Sequence, residues 1–255
     1  MAAEKTLALV LGATPFGETS SVVTLFTREI GKLRALAKGA WRPKGPFDGA
    51  LDLFSTCEVI VLRRASGGLD LLTEACLLER FRIAGSLAAY QATVGLTELT
   101  DALTADADPQ PELFDAVVAS VHSLSGHRGS DDRVDEERIR AALAILHLTG
   151  HGPALERCAA CLAPVGTGRA SFGMLDGGTL CPSCRRGKRL VVSVSDGALA
   201  LLRRLAATPP RTILTVDADR LGEARAVVDA YLSHLLGRRL RSASASPQRP
   251  GPRRH

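Results

Sequence analysis

Thr27-Arg28-Glu29-Ile30-Gly31-Lys32-Leu33-Arg34-Ala35-Leu36-Ala37-Lys38-Gly39-Ala40-Trp41-Arg42-Pro43-Lys44 carries six cations against one acid. Its middle alternates Lys32, Arg34 and Lys38 with Leu33, Ala35 and Ala37, the period of a strand with one charged face and one apolar face. Gly31 and Gly39 bracket that strand as turn positions. Around it, apolar or alternating runs recur at Leu7 to Leu11, Val22 to Phe26, Leu53 to Leu62 and Leu69 to Leu78, divided by Gly, Pro and Asp clusters. Five short strands within residues 5–80 suit a small closed barrel. Cations that track phosphates beside an aromatic surface are what a single-strand-binding barrel uses, and Trp41, the only tryptophan, stands among them. A solvated strand face in any basic region has the same composition, so both readings of the segment stay open.

From Phe81 the period turns helical. Leu87, Val94, Leu99 and Leu103 recur at helical spacing, and Pro111 to Leu124 and Val134 to Leu148 follow in the same way. A short edge at Val191 to Val194, a helix from about Asp196 to Ala206 and a last helix from about Asp219 to Leu236 complete the pattern. The expected fold is therefore α+β. A five-stranded barrel over 1–80 precedes a helical domain over 81–241, and an Arg-rich tail over 242–255 has the composition of a disordered segment.

Two Cys-x-x-Cys knuckles, Cys158/Cys161 and Cys181/Cys184, interrupt the helical domain with 19 residues between them. Four thiolates at this spacing can converge on one tetrahedral Zn²⁺, which places a structural zinc module at 158–190. Disulfides fit less well, because the chain is long, has two further isolated cysteines (Cys57, Cys76) and opens on no secretory signal. A cytoplasmic protein with reduced thiols is expected. Four cysteines complete the tetrahedron, so His147 and His151, just upstream, read as helix-end residues.

The net charge of +5 is uneven along the chain: −6 over 81–157, +4 over 158–190, and six arginines without an acid over 238–255. Polyanion contact is expected at particular surfaces. The run Arg185, Arg186, Lys188 and Arg189 is either a second phosphate surface or a balance for the thiolates. Asp131, Asp132, Asp135, Glu136 and Glu137 read as a solvated, acidic helix start. Gly12-Ala13-Thr14-Pro15-Phe16-Gly17-Glu18-Thr19 has P-loop glycine spacing, but Glu18 occupies the lysine position, so it reads as a strand-to-strand loop and no nucleotide is expected. The sequence has no nucleophile elbow and no acid/base constellation, and the protein reads as a non-enzyme.

In order along the chain, Glu4-Lys5-Thr6, Phe16-Gly17-Glu18-Thr19-Ser20, Leu25-Phe26-Thr27-Arg28-Glu29-Ile30-Gly31-Lys32, Leu36-Ala37-Lys38-Gly39-Ala40, the knuckles and Tyr231-Leu232-Ser233-His234-Leu235-Leu236-Gly237-Arg238 resemble the bacterial RecO family of recombination mediators. The resemblance runs from about residue 4 to 242. It implies an N-terminal OB-fold and ATP-independent binding and annealing of single-stranded DNA, with contact to double-stranded DNA as well. It also implies help in loading RecA onto strands coated by single-stranded DNA-binding protein, with RecR and that protein's acidic C-terminal tail as partners in the RecF pathway, close to the nucleoid. Carried onto this chain, the DNA contacts are the basic Lys32, Arg34, Lys38, Arg42 and Lys44, to which the segment's own composition adds Trp41 as a stacking surface, and the zinc held by Cys158, Cys161, Cys181 and Cys184 is a fold staple. Family members continue from Gly39-Ala40 into more basic residues, whereas here Trp41 intervenes. Two readings compete with this one: a zinc-ribbon protein-interaction module touching nucleic acid incidentally, and a metal-dependent hydrolase, which a closed four-cysteine site disfavours.

Overall fold

The computed structural model describes residues 3–42, 45–47, 49–64, 68–82, 85–166, 168–208 and 217–240. Pro43, Lys44 and the 242–255 tail lie outside the described residues. The N-terminal strands are β1 (Ala3–Phe16), β2 (Ser20–Thr27), β3 (Gly31–Ala37), β4 (Thr56–Leu62) and β5 (Asp70–Glu79). They close a barrel in the order β1-β2-β3-β5-β4, with β3 and β5 parallel and the other neighbours antiparallel, which is the OB-fold connection. Small and branched side chains suit the narrow interior: Ala8, Val10, Val23, Leu25, Leu33, Ala35, Val59, Val61 and Leu72 fill it. Phe47 and Ala50, from the β3–β4 connection, plug it. The Gly12 to Thr19 stretch is mostly strand, and only Gly17, Glu18 and Thr19 form the turn.

The helices are α1 (Leu87–Leu103), α2 (Pro111–Leu124) and α3 (Asp131–Leu148). A three-stranded sheet follows, made of β6 (Ala170–Gly173), β7 (Gly178–Leu180) and β8 (Val191–Val194), with the short α4 (Pro182–Arg185) between the last two strands. The chain then forms α5 (Asp196–Ala207) and α6 (Ala218–Leu235). Side-chain caps set the helix starts: Ser86 Oγ accepts the Ala89 N–H at 3.1 Å, Ser195 Oγ accepts that of Ala198 at 3.2 Å, and Asp217 accepts those of Asp219 and Arg220. As expected for an edge, β8 pairs only with β6 among the described residues.

The helical core continues onto the outside of the barrel. Leu9, Phe26 and Phe54 point outward from it and join α1, α2 and α3 in one apolar cluster, and the Phe26 and Phe114 rings lie 5.8 Å apart. Full burial of one such ring stabilises by roughly 1.5–3 kcal/mol. At the rim of this joint the Arg28 guanidinium grips both Asp115 carboxylate oxygens at 2.9 Å, which holds the Asp115 carboxyl below the ordinary carboxylate range. Gly31 (φ +83°) is required here, because a Cβ would meet the Asp108 carbonyl oxygen at 2.3 Å.

One sequence expectation is overturned inside α3. Glu136 and Glu137 do not lie on a solvated face: they are 4% and 6% exposed and share the guanidinium of Arg140, itself 4% exposed. Only Asp131 and Asp132 of that acidic run are open to water.

Candidate nucleic-acid interface and metal centre

The register of β1, β2 and β3 sorts the outward residues into rows. Phe26 stands opposite Lys32, Thr24 opposite Arg34 and Val22 opposite Leu36, and across to β1 Gly12 faces Thr24, Thr14 faces Val22 and Phe16 faces Ser20. The Phe26 and Lys32 row lies under the helices. The rows from Thr24 and Arg34 onward are left open, with Arg34 and Lys38 exposed.

Lys32 therefore has a different task from the one its sequence position suggests. Its ammonium donates to the Asp101 carbonyl at 2.6 Å and lies 3.1 Å from the Asp101 carboxylate, with its side chain 11% exposed. Its own carbonyl accepts the Ala107 N–H at 2.8 Å. Lys32 ties β3 to the end of α1 through Asp101 and to the α1–α2 connection through Ala107, and presents no free charge to a ligand. The half-exposed Asp101 carboxylate adds little to this tie, because solvent screens it, so the buried charged hydrogen bond dominates. Lys32→Met should cost about 1–2 kcal/mol in urea-induced unfolding and leave the salt dependence of DNA binding unchanged. A reduced salt slope would return Lys32 to the binding face.

Other barrel cations are also satisfied internally: Lys5 by Glu58, Arg28 by Asp115, Arg63 by Asp70 and Arg80 by Asp52. Arg34, Lys38, Arg42 and Arg64 have no ion pair among the described residues. Three of these four sit together. Gly39 (φ +72°) turns the chain after β3, and the Arg42 N–H donates to the Gly39 carbonyl at 3.0 Å. The Trp41 N–H donates to the Thr19 carbonyl at 3.1 Å, which fastens this turn to the β1–β2 hairpin and leaves the indole 60% exposed.

The four cysteine sulfurs lie within 4.8 Å of one another. Four thiolates at about 2.3 Å from a tetrahedral Zn²⁺ stand roughly 3.8 Å apart, and Cys161 Sγ and Cys181 Sγ are 3.8 Å apart. The knuckles are shaped by backbone hydrogen bonds: the Leu162 N–H donates to the Cys158 carbonyl at 2.9 Å, and the Arg185 N–H donates to the Cys181 carbonyl at 3.0 Å. Without a cation the four thiols divide their protons unequally. Burial opposes the Cys158 thiolate, but the peptide N–H groups of Cys181, Cys161 and Ala160 outweigh it and draw its pKa down to about 6. Hydrogen bonds to Cys161 and Cys181 push Cys184 up to about 12. A thiolate-only donor set of this size fits zinc.

The module is less separate than its spacing implies. Phe172 and Val194 of its sheet, with Met174 in the turn after β6, belong to the helical core, and the Phe172 ring meets Tyr231 of α6 edge-on at 5.7 Å. Arg185, Arg186, Lys188 and Arg189 are exposed, with Lys188 paired to Asp176. His147 closes the last turn of α3, as expected for a helix-end residue.

Fold and cluster together define a class: an OB-fold protein whose helical domain carries a four-cysteine cluster able to hold a metal ion. The family model described as recombination protein O N terminal matches residues 1–81, and recombination protein O C terminal matches residues 85–244. The chain is 39% identical to a DNA repair protein RecO of Rhodopirellula baltica over 84% of this chain and 78% of the relative. It is 36% identical to that of Anaeromyxobacter dehalogenans over 92% of each. It is 30% identical to that of Frankia casuarinae over 92% of this chain and 94% of the relative. The chain belongs to the RecO family of DNA repair and recombination proteins. No helix among the described residues is long and apolar enough to cross a membrane.

Proposed function

We propose that the protein is a non-enzymatic mediator that binds single-stranded DNA on the open outer face of β2 and β3 and anneals complementary strands without a nucleotide. The observation that carries this is the division of the barrel's cations: those under or beside the helices are paired, whereas Arg34, Lys38 and Arg42 stand free around one uncovered face. Two complementary strands repel through their phosphates. A surface that neutralises both lowers that barrier and leaves specificity to base pairing. Double-stranded DNA would meet the same cations more weakly, since its bases cannot reach an aromatic ring.

Cys158, Cys161, Cys181 and Cys184 would hold a structural Zn²⁺, which supplies cross-linking and no reaction chemistry. Family membership supports the wider role: helping to load RecA onto strands coated by single-stranded DNA-binding protein, with RecR as partner and RecF in the same pathway. The acidic tail of the single-strand-binding protein would suit an apolar pocket with a basic rim. A cavity of about 310 Å³ among Leu143, His147, Leu148, Pro153, Leu155 and Ala206 has an apolar lining with one imidazole. The setting for all of this would be the cytoplasm, next to the nucleoid.

The decisive assay mixes complementary labelled strands with the protein, without ATP, and repeats the mixture with single-strand-binding protein. Annealing above the spontaneous rate supports the mediator. Its absence, with partner binding retained, favours the zinc-ribbon interaction module. Replacing Arg34, Lys38 and Arg42 together by Ala should reduce the slope of log K against log salt by about 2, at roughly 0.7 per lost single-strand phosphate contact. An unchanged slope would move the binding surface off this face.

A further inference from the structure

Nine large apolar side chains are exposed among the described residues, and seven are leucines, three of them (Leu162, Leu175 and Leu190) in the cysteine module. The other two are its only strongly exposed aromatics, Phe16 at 56% and Trp41 at 60%. Exposed leucines are ordinary on protein surfaces. Two exposed rings at one end of one barrel are a different matter, because the chain spends its few aromatics sparingly.

Three observations bring these rings together. Phe16 pairs with Ser20 at the end of the β1–β2 hairpin, on the outward row of that sheet. The Gly39 N–H reaches Ser20 Oγ at 3.4 Å, and the Trp41 N–H reaches the Thr19 carbonyl at 3.1 Å, so the turn carrying Trp41 is fastened to the hairpin tip carrying Phe16. Ser21 pairs with Ala37, so Lys38, one residue further on, extends the Phe16 and Ser20 row. Beyond Val10, which still bonds Ser55 and Phe54, β1 pairs only with β2 among the described residues, and the Thr14, Pro15 and Phe16 end of the ribbon is open to solvent.

We propose that Phe16 and Trp41 form a two-ring stacking rim for unpaired bases, set across a strand whose phosphates lie on Arg34, Lys38 and Arg42. Every base has a π-face, so such a rim takes any sequence but only bases that are free of a duplex. The rim gives the site its preference for single strands, whereas the cations alone would accept any polyanion. This inference rests on the assignment of the β2–β3 face as the DNA surface and goes beyond it by adding Phe16 as a base contact.

Trp41 is the only tryptophan, so its emission reports on the rim alone. The full chain is titrated with a thymidine oligonucleotide and with a duplex of equal length, while the anisotropy of a labelled strand is followed in parallel. The single strand should quench Trp41 and the duplex should not. Phe16→Ala should weaken single-strand binding about 5- to 150-fold, the range for loss of one stacked base, with the salt slope unchanged, and Phe16→Tyr should retain the affinity. Far-UV circular dichroism checks the fold of each variant, and Phe16 sits at a solvent-exposed hairpin end. Binding with unaltered emission and an indifferent Phe16→Ala overturns the rim and leaves the cationic face standing. Equal quenching by duplex also overturns it. No strand binding by the unmodified chain overturns rim and face together.

Discussion

Removing the metal should release the two knuckles and lower the stability of the helical domain well before the barrel loses its fold or its DNA. Binding of structural zinc is worth about 10–16 kcal/mol in small zinc peptides near neutral pH, against about 5–15 kcal/mol for a whole domain. The module's own resources are slight: strands of four, three and four residues and one turn of helix. Its cysteines are exposed or half-exposed except for Cys158, so apolar burial cannot replace the cross-link. The consequence should stay local at first. The barrel interior is a separate apolar cluster that includes no residue of the module, whereas Phe172, Met174 and Val194 lie in the helical cluster. Chelation, or the Cys158→Ala/Cys181→Ala double replacement, should therefore split a single calorimetric transition into an early helical one and a later barrel one. Below the first, strand binding should persist with its salt slope intact. Simultaneous loss of metal, barrel and binding in one transition would show the zinc to be part of the DNA site. No change in melting would show the four sulfurs to be idle.

The barrel, the helices and the knuckles were all legible in the sequence because each follows a local rule. Strand alternation, helical spacing and Cys-x-x-Cys geometry act within a few residues, and the predicted segments fall on β1 to β5 and on the long helices. What alternation could not supply was which half of the charged strand face would be covered. It places Lys32, Arg34 and Lys38 on one side and says nothing of the α1–α2 connection that caps the first of them. A signal did exist: Leu25 and Phe26 are consecutive apolar residues, so one must face outward, and an outward Phe implies a neighbour to cover it. Its register partner is Lys32. Phe16 escapes for the opposite reason, because the glycine spacing of Gly12 to Thr19 is that of a loop. Its exposure is informative only once the hairpin is seen beside Trp41. The buried acids of α3 were hidden by the ordinary meaning of charge runs. Glu136 and Arg140 at i,i+4 spacing describe a solvated pair as well as a buried one, and only the four helices packed around α3 decide between them.

Arg140→Met should be among the most damaging single substitutions in the chain, costing about 3–5 kcal/mol because it removes the guanidinium that two buried carboxylates share and leaves Glu136 only the longer 3.5 Å contact with Arg133. Arg140 donates to Glu136 Oε1 at 2.6 Å and also to Glu137, and all three side chains are at most 8% exposed. Methionine fills a similar space, so an effect of this size would come from charge and not from a cavity. Arg140→Lys separates the two further: it restores the cation but not the fork that reaches two carboxylates at once, and should recover only part of the loss. Denaturant unfolding of the three proteins tests this, with wild type most stable, Lys intermediate and Met least. A methionine variant as stable as wild type would mean that the carboxylates are satisfied without Arg140. The position matters beyond stability. α3 packs against α1 and α2, and these carry the Asp101 and Asp115 contacts that anchor Lys32 and Arg28 of the barrel. Loosening α3 therefore loosens the support of the strand that presents Arg34 and Lys38. In Arg140→Met, strand affinity should fall with temperature ahead of the barrel's own melting, although no DNA-facing residue has changed.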